Sequence, residues 1–287
     1  MRSPSSSTRR TPRLLLLTAG VAFLLAGCSA ETVQNGFLPS EPGVTNMTGT
    51  IIDHWNGAWV AALIVGVLVW GLTIWCVVAY RKRKDDNTLP VQLRYHVPLE
   101  LMYTVIPILM VGVLFFYSSR VTGEIVDTND EADVHIQVYG KQWSWDFNYL
   151  DDGVYFAGDR VRLTGETGVE ETLPTLYLPV GESVEITVDT RDVIHSFWIP
   201  AFLFKIDAMA GYSNTFQVTP EREGTFQGKC AELCGEFHAE MLFNVEVVDR
   251  ETYDAHMDDL RDAGNVGVLG EELDRVYHIN EREGGNV

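Results

Sequence analysis

The sequence has few cysteines, and their scarcity excludes a protein built on disulfide bonds. Its 287 residues contain four cysteines, of which only Cys230 and Cys234 lie close together. Cys28 and Cys76 lie in apolar segments far from this pair, so no framework of several bridges is available. We interpret Cys76 as a small hydrophobic side chain within a membrane-compatible run.

Positive charge is scarce in the C-terminal part of the chain. From Gly123 onward there are 11 Lys and Arg against 34 Asp and Glu, a net charge of −23. This segment repels phosphate, which excludes a general nucleic-acid-binding protein. Two interpretations of the acidity stay open, namely solubility and the steering of a cationic partner.

Long apolar runs, by contrast, are present, and the first predicts export. Four arginines precede the run Leu14–Leu25, which ends in Leu25-Ala26-Gly27-Cys28. This pattern predicts a signal peptide at 1–27. It resembles a bacterial lipobox, which implies cleavage before Cys28 and a lipid on its sulfur. The alternative is an uncleaved anchor with an incidental cysteine.

Two further runs predict a pair of transmembrane helices. Residues 58–80 are apolar throughout and would span ~34 Å, enough to cross a bilayer core. Basic residues open the segment 81–97 and place it in the cytoplasm by the positive-inside rule. Residues 98–118 then return, so 28–57 and everything after about Thr122 are exoplasmic. This topology predicts a multi-pass protein of a bacterial cell membrane.

The pattern after the second run changes to short strands. Turn-forming residues separate these strands, which predicts a Greek-key sandwich or barrel at 123–250, followed by a helix and tail at 251–287. The polar stretch 151–171 is long for a hairpin loop, and is either an insertion with its own role or a mobile loop. The predicted strands are 134–139, 143–149, 175–178, 183–187, 214–218 and 241–248.

Four potential metal ligands lie within twelve residues of the C-terminal part. They are Cys230, Cys234, His238 and Met241. A disulfide is the usual fate of two neighbouring exoplasmic cysteines, but it gives no role to the histidine and methionine. Two thiolates, an imidazole and a thioether form a soft ligand set that favours copper. A second imidazole is needed, and His195, in a strand-like run ended by Pro200, is the candidate.

The number of cysteines distinguishes the possible metal centres. A mononuclear blue-copper site takes one cysteine, two histidines and a distant methionine, so this set has one thiolate too many. Two cysteines four residues apart could bridge two copper ions that share one electron. Zinc is the rival, bound by both cysteines, His195 and His238, but a closed zinc site leaves Met241 without a role.

The spacing Cys-x-Glu-x-Cys-x-x-x-His-x-x-Met, with the upstream His195, resembles the binuclear CuA centre of cytochrome c oxidase subunit II. The similarity extends over about residues 48–262. It implies a membrane-anchored all-β protein: two transmembrane helices in an antiparallel hairpin, an exoplasmic cupredoxin-like Greek-key β-barrel and a C-terminal helix. The implied copper ligands are His195, Cys230, the carbonyl of Glu232, Cys234, His238 and Met241. The Glu232 carboxylate would reach a magnesium ion at the interface with subunit I.

Other positions match the same family. Trp143 would lie over the copper centre and admit electrons from cytochrome c, although a core or hairpin aromatic is the alternative. Asp207 matches a supporting residue, with Ala210 where the family often has proline. Glu100 would mark the entrance of a proton path into subunit I, or else would be a glutamate at the membrane interface, and Tyr103 replaces the usual tryptophan.

The resemblance implies the electron-entry subunit of an oxidase. Electrons would pass from cytochrome c through the copper centre to heme in subunit I, where oxygen is reduced to water with proton pumping. A quinol oxidase subunit would have lost the copper ligands, and nitrous oxide reductase would need a second large domain. The remaining alternative is a membrane-anchored copper chaperone, for which Cys-x-x-Cys or Met-rich tracts are expected and absent from the sequence.

The lipobox, the acidic domain and the 151–171 stretch are reminiscent of actinobacterial oxidases. In that group the donor is a cytochrome c carried by a bc complex. The sequence leaves open whether the donor is tethered in this way or diffuses.

Overall fold

The computed structural model describes residues 29–82, 89, 91–128 and 131–275. Residues 29–38 belong to a compact unit of their own. Among residues 29–38 lies a short helix, α1 (Ala30–Gln34), whose first turn is capped by the Ser29 hydroxyl. The proposed signal peptide and Cys28 lie outside the described residues.

Two long apolar helices follow, α2 (Thr48–Ala79) and α3 (Val97–Ile125). Both are long and apolar enough to cross a membrane. The His54 ring, near the start of α2, lies 3.1 Å from the Ser118 hydroxyl near the end of α3. This contact shows that the two helices run antiparallel to each other.

Both helices extend beyond the predicted spans 58–80 and 98–118. At 32 residues α2 is ~48 Å long, more than a bilayer core requires. Its first turns are covered by protein, because Thr48 and Ile52 are buried. The prediction from sequence rested on the continuous apolar run and therefore missed the ten residues before Ala58 that also belong to the helix.

The C-terminal part is a β domain of two five-stranded sheets. The first sheet has the order β3-β2-β1-β5-β8 and the second the order β4-β10-β9-β6-β7. Most neighbours are antiparallel, but β1 pairs with β5 and β4 with β10 in parallel. The strands are β1 (Val134–Lys141), β2 (Ser144–Tyr149), β3 (Val154–Ala157), β4 (Thr175–Pro179), β5 (Val184–Thr190), β6 (His195–Ile199), β7 (Phe204–Ala208), β8 (Asn214–Val218), β9 (Gly224–Cys230) and β10 (Leu242–Val248).

The core lies between the two sheets. Strands with alternating apolar residues, such as β5 and β10, direct every second side chain inward. Trp145, Phe197 and Phe243 meet there, with the last two rings stacked 4.8 Å apart. These aromatics fill the space directly beneath the ends of β6 and β9, where the candidate ligands lie.

A segment before α2 and a helix after β10 complete the unit. Thr45 bridges to Pro220, and Val44 contributes a buried side chain to the core. The acidic helix expected after Asp249 is α4 (Arg250–Asp262), and the Asp249 carboxylate caps its first turn. The predicted fold class, two apolar helices followed by a β domain and a C-terminal helix, is thus confirmed.

Four strands were absent from the predicted set. The stretch 151–171 is not one long loop, because β3 lies within it and pairs with β2. β9 has the sequence GTFQGKC, whose glycines and polar residues give a weak strand signal. In the structure β9 pairs with β10 and β6. Gly228 allows the Phe243 ring to approach closely, because a Cβ atom there would come within 2.1 Å of the ring. β6 was expected only as the strand-like run ended by Pro200, and β7 is a strand of five residues that begins four residues after that proline.

Candidate metal centre

Three elements bring the candidate ligands together. His195 is the first residue of β6, and Cys230 is the last residue of β9, the neighbouring strand. The chain then turns through Cys234 to a short 3-10 helix, His238–Glu240, and Met241 follows it directly before β10. The backbone N–H of Cys230 donates to the carbonyl of Met241 at 3.0 Å, which closes the loop at its base.

The donor atoms converge on the two cysteine sulfurs, which lie 3.9 Å apart. The Nδ1 atom of His195 lies 3.8 Å from the Cys230 sulfur, and that of His238 lies 3.6 Å from the Cys234 sulfur. The Met241 sulfur is 3.7 Å from the Cys234 sulfur. The Glu232 carbonyl oxygen lies 3.2 Å from the Cys230 sulfur. Each imidazole and each weak donor therefore approaches its own sulfur.

This donor set fits a bound soft metal. Cys230 and Cys234 are unpaired cysteines, so both sulfurs are available as ligands. The donor atoms of His195, Cys230 and Cys234 all lie within 4.8 Å of one another, and all three residues are buried. Met241 is also fully buried, with its thioether directed at a sulfur instead of a purely apolar neighbour. Sulfur and imidazole donors in a dry site match copper.

Asp192 orients the ring of His195. One carboxylate oxygen lies 2.8 Å from His195 Nε2, and the other accepts the backbone N–H of Gln142 at 2.8 Å. A carboxylate on the far ring nitrogen is a common partner of metal-bound histidine, since it fixes the ring and leaves the other nitrogen for the metal. The Nδ1 atom of His195 therefore faces the Cys230 sulfur.

Burial and hydrogen bonding set the protonation of this pair. Burial would raise the pKa of Asp192, but its hydrogen bonds with His195 and with two backbone N–H groups hold the pKa below its ordinary value. Burial would likewise lower the pKa of His195, yet the contacts with Asp192 and Cys230 hold it above its ordinary value. The two shifts agree in favouring a charged pair in the metal-free chain.

The thiols of Cys230 and Cys234 have pKa values shifted in opposite directions. Burial opposes the Cys230 thiolate, but His195 and nearby backbone groups lower its pKa overall. Burial and the neighbouring Cys230 raise the pKa of Cys234 to about 12. Without metal Cys230 therefore loses its proton more readily than Cys234, and two thiolates 3.9 Å apart would repel each other in a buried site. Metal binding would displace the remaining proton.

Trp143 lies beside the loop rather than fully on the surface. Its ring is partly buried and meets the edge of Phe237 at 4.8 Å. Gly235 lies beneath the indole, and a Cβ atom there would come within 3.1 Å of the ring. The preceding residue, Gln142, donates from its side chain to the Cys234 carbonyl at 2.8 Å. The β1–β2 turn therefore contacts the ligand loop at two successive residues.

The other predicted site side chains lie apart from the donor cluster. Glu232 contributes its carbonyl oxygen to the cluster, but its side chain is exposed. Asp207 is in β7, opposite Ser196, and its carboxylate lies 3.4 Å from the Lys205 ammonium. Glu100 accepts the backbone N–H of His96 at 2.9 Å and so caps the start of α3. The predictions for magnesium, proton entry and lipidation at Cys28 stay predictions.

Asp192, Gln142 and the buried pair of Asp146 and Arg191 received no role from the sequence. Arg191 Nε lies 2.8 Å from the Asp146 carboxylate, and both side chains are almost fully buried. The position of Asp192, three residues before the candidate ligand His195, is only a weak sequence signal that its carboxylate contacts the histidine ring. No sequence signal pairs Gln142 with Cys234, because these residues lie 92 positions apart.

Comparison with known proteins identifies the family of the chain. The family model "Cytochrome C oxidase subunit II, periplasmic domain" matches residues 134–248. A probable cytochrome c oxidase subunit 2 of Streptomyces avermitilis is 38% identical over 317 residues, covering 100% of this chain and 98% of the relative. One from Nocardia farcinica is 36% identical, covering 86% of this chain and 80% of the relative.

Among solved structures, the periplasmic domain of subunit II of cytochrome oxidase of Bradyrhizobium japonicum is 32% identical. The match covers 47% of this chain and 97% of that one, with a TM-score of 0.42. The Streptomyces relative aligns with the whole length of this chain. The chain therefore belongs to the cytochrome c oxidase subunit II family.

Proposed function

We propose that this chain is the electron-entry subunit of a cytochrome c oxidase and holds a binuclear copper centre. The observation that carries the proposal is the pairing of donors around two unpaired sulfurs, each approached by its own imidazole nitrogen at 3.6 or 3.8 Å. A single zinc ion would need all four donors around one point, and it would leave the Met241 thioether unused. The proposed ligands are His195, Cys230, the Glu232 carbonyl, Cys234, His238 and Met241.

A copper pair held by Cys230, Cys234 and the other proposed ligands would supply one-electron transfer. The chain's own residues hold the donors in place before metal binds. Asp192 fixes the His195 ring, and Gln142 fixes the backbone at Cys234. A preorganised ligand set reduces the rearrangement that accompanies each change of charge.

We place electron entry at Trp143 and electron exit on the side of Glu232. The Trp143 ring packs on Phe237, the residue before His238, which gives a contact path from the domain surface to the loop. The exposed Glu232 side chain can face subunit I, where it would bind magnesium with that subunit. Heme belongs to subunit I, where oxygen would be reduced. The donor would be cytochrome c, either diffusible or part of a bc complex.

In the membrane, α2 and α3 would anchor the copper domain on the exoplasmic side of a bacterial cell membrane. Arg81 and Lys82 end α2 on the cytoplasmic side by the positive-inside rule. Glu100 would then lie near the cytoplasmic end of α3, where a proton path into subunit I could begin. Lipidation of Cys28 would add a second anchor on the exoplasmic side.

Burial of the donors separates this function from that of a copper chaperone. Cys230, Cys234 and Met241 are 5%, 4% and 0% exposed. A chaperone passes metal by exchange of ligands with a partner, so its donors must be accessible. Buried donors suit a resident metal instead.

Metal analysis of the copper-treated full chain tests the proposal. We expect two coppers per chain and an electron paramagnetic resonance signal shared by both nuclei, since the two sulfurs can bridge. Cys230→Ser should abolish this signal, because a hydroxyl cannot replace a bridging thiolate. Cys76→Ser, which changes an exposed cysteine in α2, is the matched control and should preserve it. One tightly bound zinc and no copper would contradict the proposal.

A further inference from the structure

A single side chain from outside the ligand loop contacts both flanks of His238. The Arg160 guanidinium lies 3.9 Å from the centre of the Phe237 ring. Its Nη1 atom lies 3.3 Å from the carboxylate of Glu240. Phe237 precedes His238 and Glu240 ends the 3-10 helix that His238 begins. Arg160 therefore holds this helical turn from both ends.

The backbone that carries Arg160 is itself fixed to β2. The N–H of Gly158 donates to the Asp146 carboxylate at 3.1 Å, and the Ser144 hydroxyl donates to the Asp159 carbonyl at 2.9 Å. A Cβ atom on Gly158 would lie 2.2 Å from the Trp145 carbonyl oxygen, so only glycine allows this close approach. Arg160 thus extends from an anchored segment toward the ligand loop.

The same contact continues to the proposed entry residue. Phe237 contacts both the Arg160 guanidinium and the Trp143 ring, and the two aromatic rings are nearly perpendicular, at an interplanar angle of 83°. A shift of Phe237 would therefore move both the Trp143 contact and the backbone at His238. Through the contact of Arg160 with Phe237, the loop after β3 is packed against the turn that carries His238.

We propose that Arg160 is a positioning residue for the His238 side of the metal centre. Its planar guanidinium stacks on Phe237 while it pairs with Glu240, which restrains the turn and keeps His238 Nδ1 directed at the Cys234 sulfur. Lysine could keep the ion pair but could not stack in this way. The role at copper rests on the proposed function, but the restraint on the turn does not.

Alkylation of Cys234 in the metal-free full chain measures that restraint. Cys234 is 4% exposed, so a reagent reaches it only when the turn opens. Mass spectrometry of the Cys234 peptide measures the alkylation rate. We expect Arg160→Ala to raise this rate by about tenfold, which corresponds to the loss of one cation–π contact and one surface ion pair. Arg160→Lys should give an intermediate rate.

Arg162→Ala is the matched control, because it removes an exposed arginine two residues away in the same loop. It should alkylate at the wild-type rate. An Arg160→Ala rate equal to that of Arg162→Ala would overturn the proposal. If Arg160→Ala lowers the unfolding temperature of the chain, Glu240→Gln decides: faster alkylation supports the proposal, and the wild-type rate overturns it.

The copper-loaded chain gives a second readout. We expect Arg160→Ala to shift the hyperfine pattern of the copper signal, because the His238 ring changes its angle, while Arg162→Ala leaves the pattern unchanged. An unchanged pattern in Arg160→Ala would contradict the role at copper. A wild-type chain that binds no copper pair would contradict the proposed function instead, and the alkylation comparison would still test the role of Arg160 in the turn.

Discussion

At the scale of single residues, the orientation of His195 depends on one carboxylate. An Asp192 carboxylate oxygen lies 2.8 Å from Nε2 of the His195 ring, within hydrogen-bond distance. The same carboxylate also accepts hydrogen bonds from the backbone N–H groups of Gln142 and Val193. These backbone bonds keep the carboxylate in place even when the ring moves. Asp192 therefore selects the ring nitrogen that faces Cys230 and favours a more basic imidazole ligand.

We expect Asp192→Asn to weaken metal binding without unfolding the domain. An amide has nearly the same shape but no charge, and loss of such a partner typically lowers metal affinity roughly 10- to 100-fold. Competition with a chelator measures the affinity. Asp189→Asn, which changes a carboxylate that contacts Gln137 and Ser213, is the control and should retain wild-type affinity. Equal affinities in the two variants would contradict the role of Asp192.

At the scale of elements, a buried ion pair joins β2, the residue that follows β5 and the segment after α4. Asp146 in β2 contacts both Lys141 and Arg191, and Arg191 also reaches Asp274 and the Leu269 carbonyl. The charges of several elements are thus satisfied together. A buried pair of this kind is costly to break from one side, because the remaining charge loses its partner.

Arg191→Met should destabilise the domain by up to about 3–5 kcal/mol, since the buried Asp146 carboxylate loses one of its two cationic partners and keeps only the contact with Lys141. Denaturant unfolding of the chain measures the change. The double variant Asp146→Asn, Arg191→Met should recover part of the loss, because a neutral amide then replaces the buried carboxylate. A loss as large in the double variant as in the single one would show that packing, not charge, is responsible.

Helix α4 introduces a pH dependence through His256. Its ring stacks 3.7 Å from Tyr177 in β4, and its Nε2 atom is buried without a hydrogen-bond partner among the described residues. Burial lowers the pKa of His256 below 6.5, with a smaller opposing effect of Asp259. The unfolded chain therefore binds this proton more readily than the folded chain.

We expect the contribution of His256 to stability to fall as the pH drops below about 6.5, where the unfolded histidine is protonated and the folded one is not. His256→Phe keeps an aromatic ring on Tyr177 but cannot be protonated. The unfolding temperature of the wild-type chain should therefore decrease more between pH 7 and pH 5.5 than that of His256→Phe. Parallel decreases in the two chains would refute this assignment.

At the scale of the whole molecule, charge and aromatic contact would have separate roles in the proposed function. The net charge of −23 from Gly123 onward would attract a cationic partner over distances comparable to the Debye length, ~10 Å at 0.1 M salt. Trp143, which packs on Phe237, would act only once the partner is in contact. Salt should therefore affect docking, and the aromatic ring should affect electron entry.

Trp143→Ala should slow reduction of the copper centre by a cationic cytochrome c at every salt concentration, because it changes the contact path and not the long-range field. Added salt should slow the wild type by weakening docking. Stopped-flow reduction measures both effects, and the copper spectrum checks that the site is intact. Tyr212→Ala, at an exposed aromatic in another loop, is the control. Reduction of Trp143→Ala at the wild-type rate would exclude Trp143 as the entry residue.

The sequence by itself determined the features that depend on local order. Apolar runs predicted the two helices because membrane spanning requires only length and hydrophobicity along the chain. Alternating residues predicted strands such as β5 and β10, and the spacing from Cys230 to Met241 placed four donors in one loop. Each signal lies within a few residues of what it describes, so no knowledge of distant contacts was needed.

Only the tertiary structure decided which distant residues complete the site. Pairing of β6 with β9 brings His195 to Cys230 across 35 positions, and the β1–β2 turn brings Gln142 to Cys234 across 92. β9 pairs with β6 and β10, and its Gly228 accommodates the Phe243 ring, neither of which its own glycine-rich sequence signals. Strand register and close packing are properties of paired segments, and therefore the orientation of the ligands, unlike their identity, was fixed by the fold.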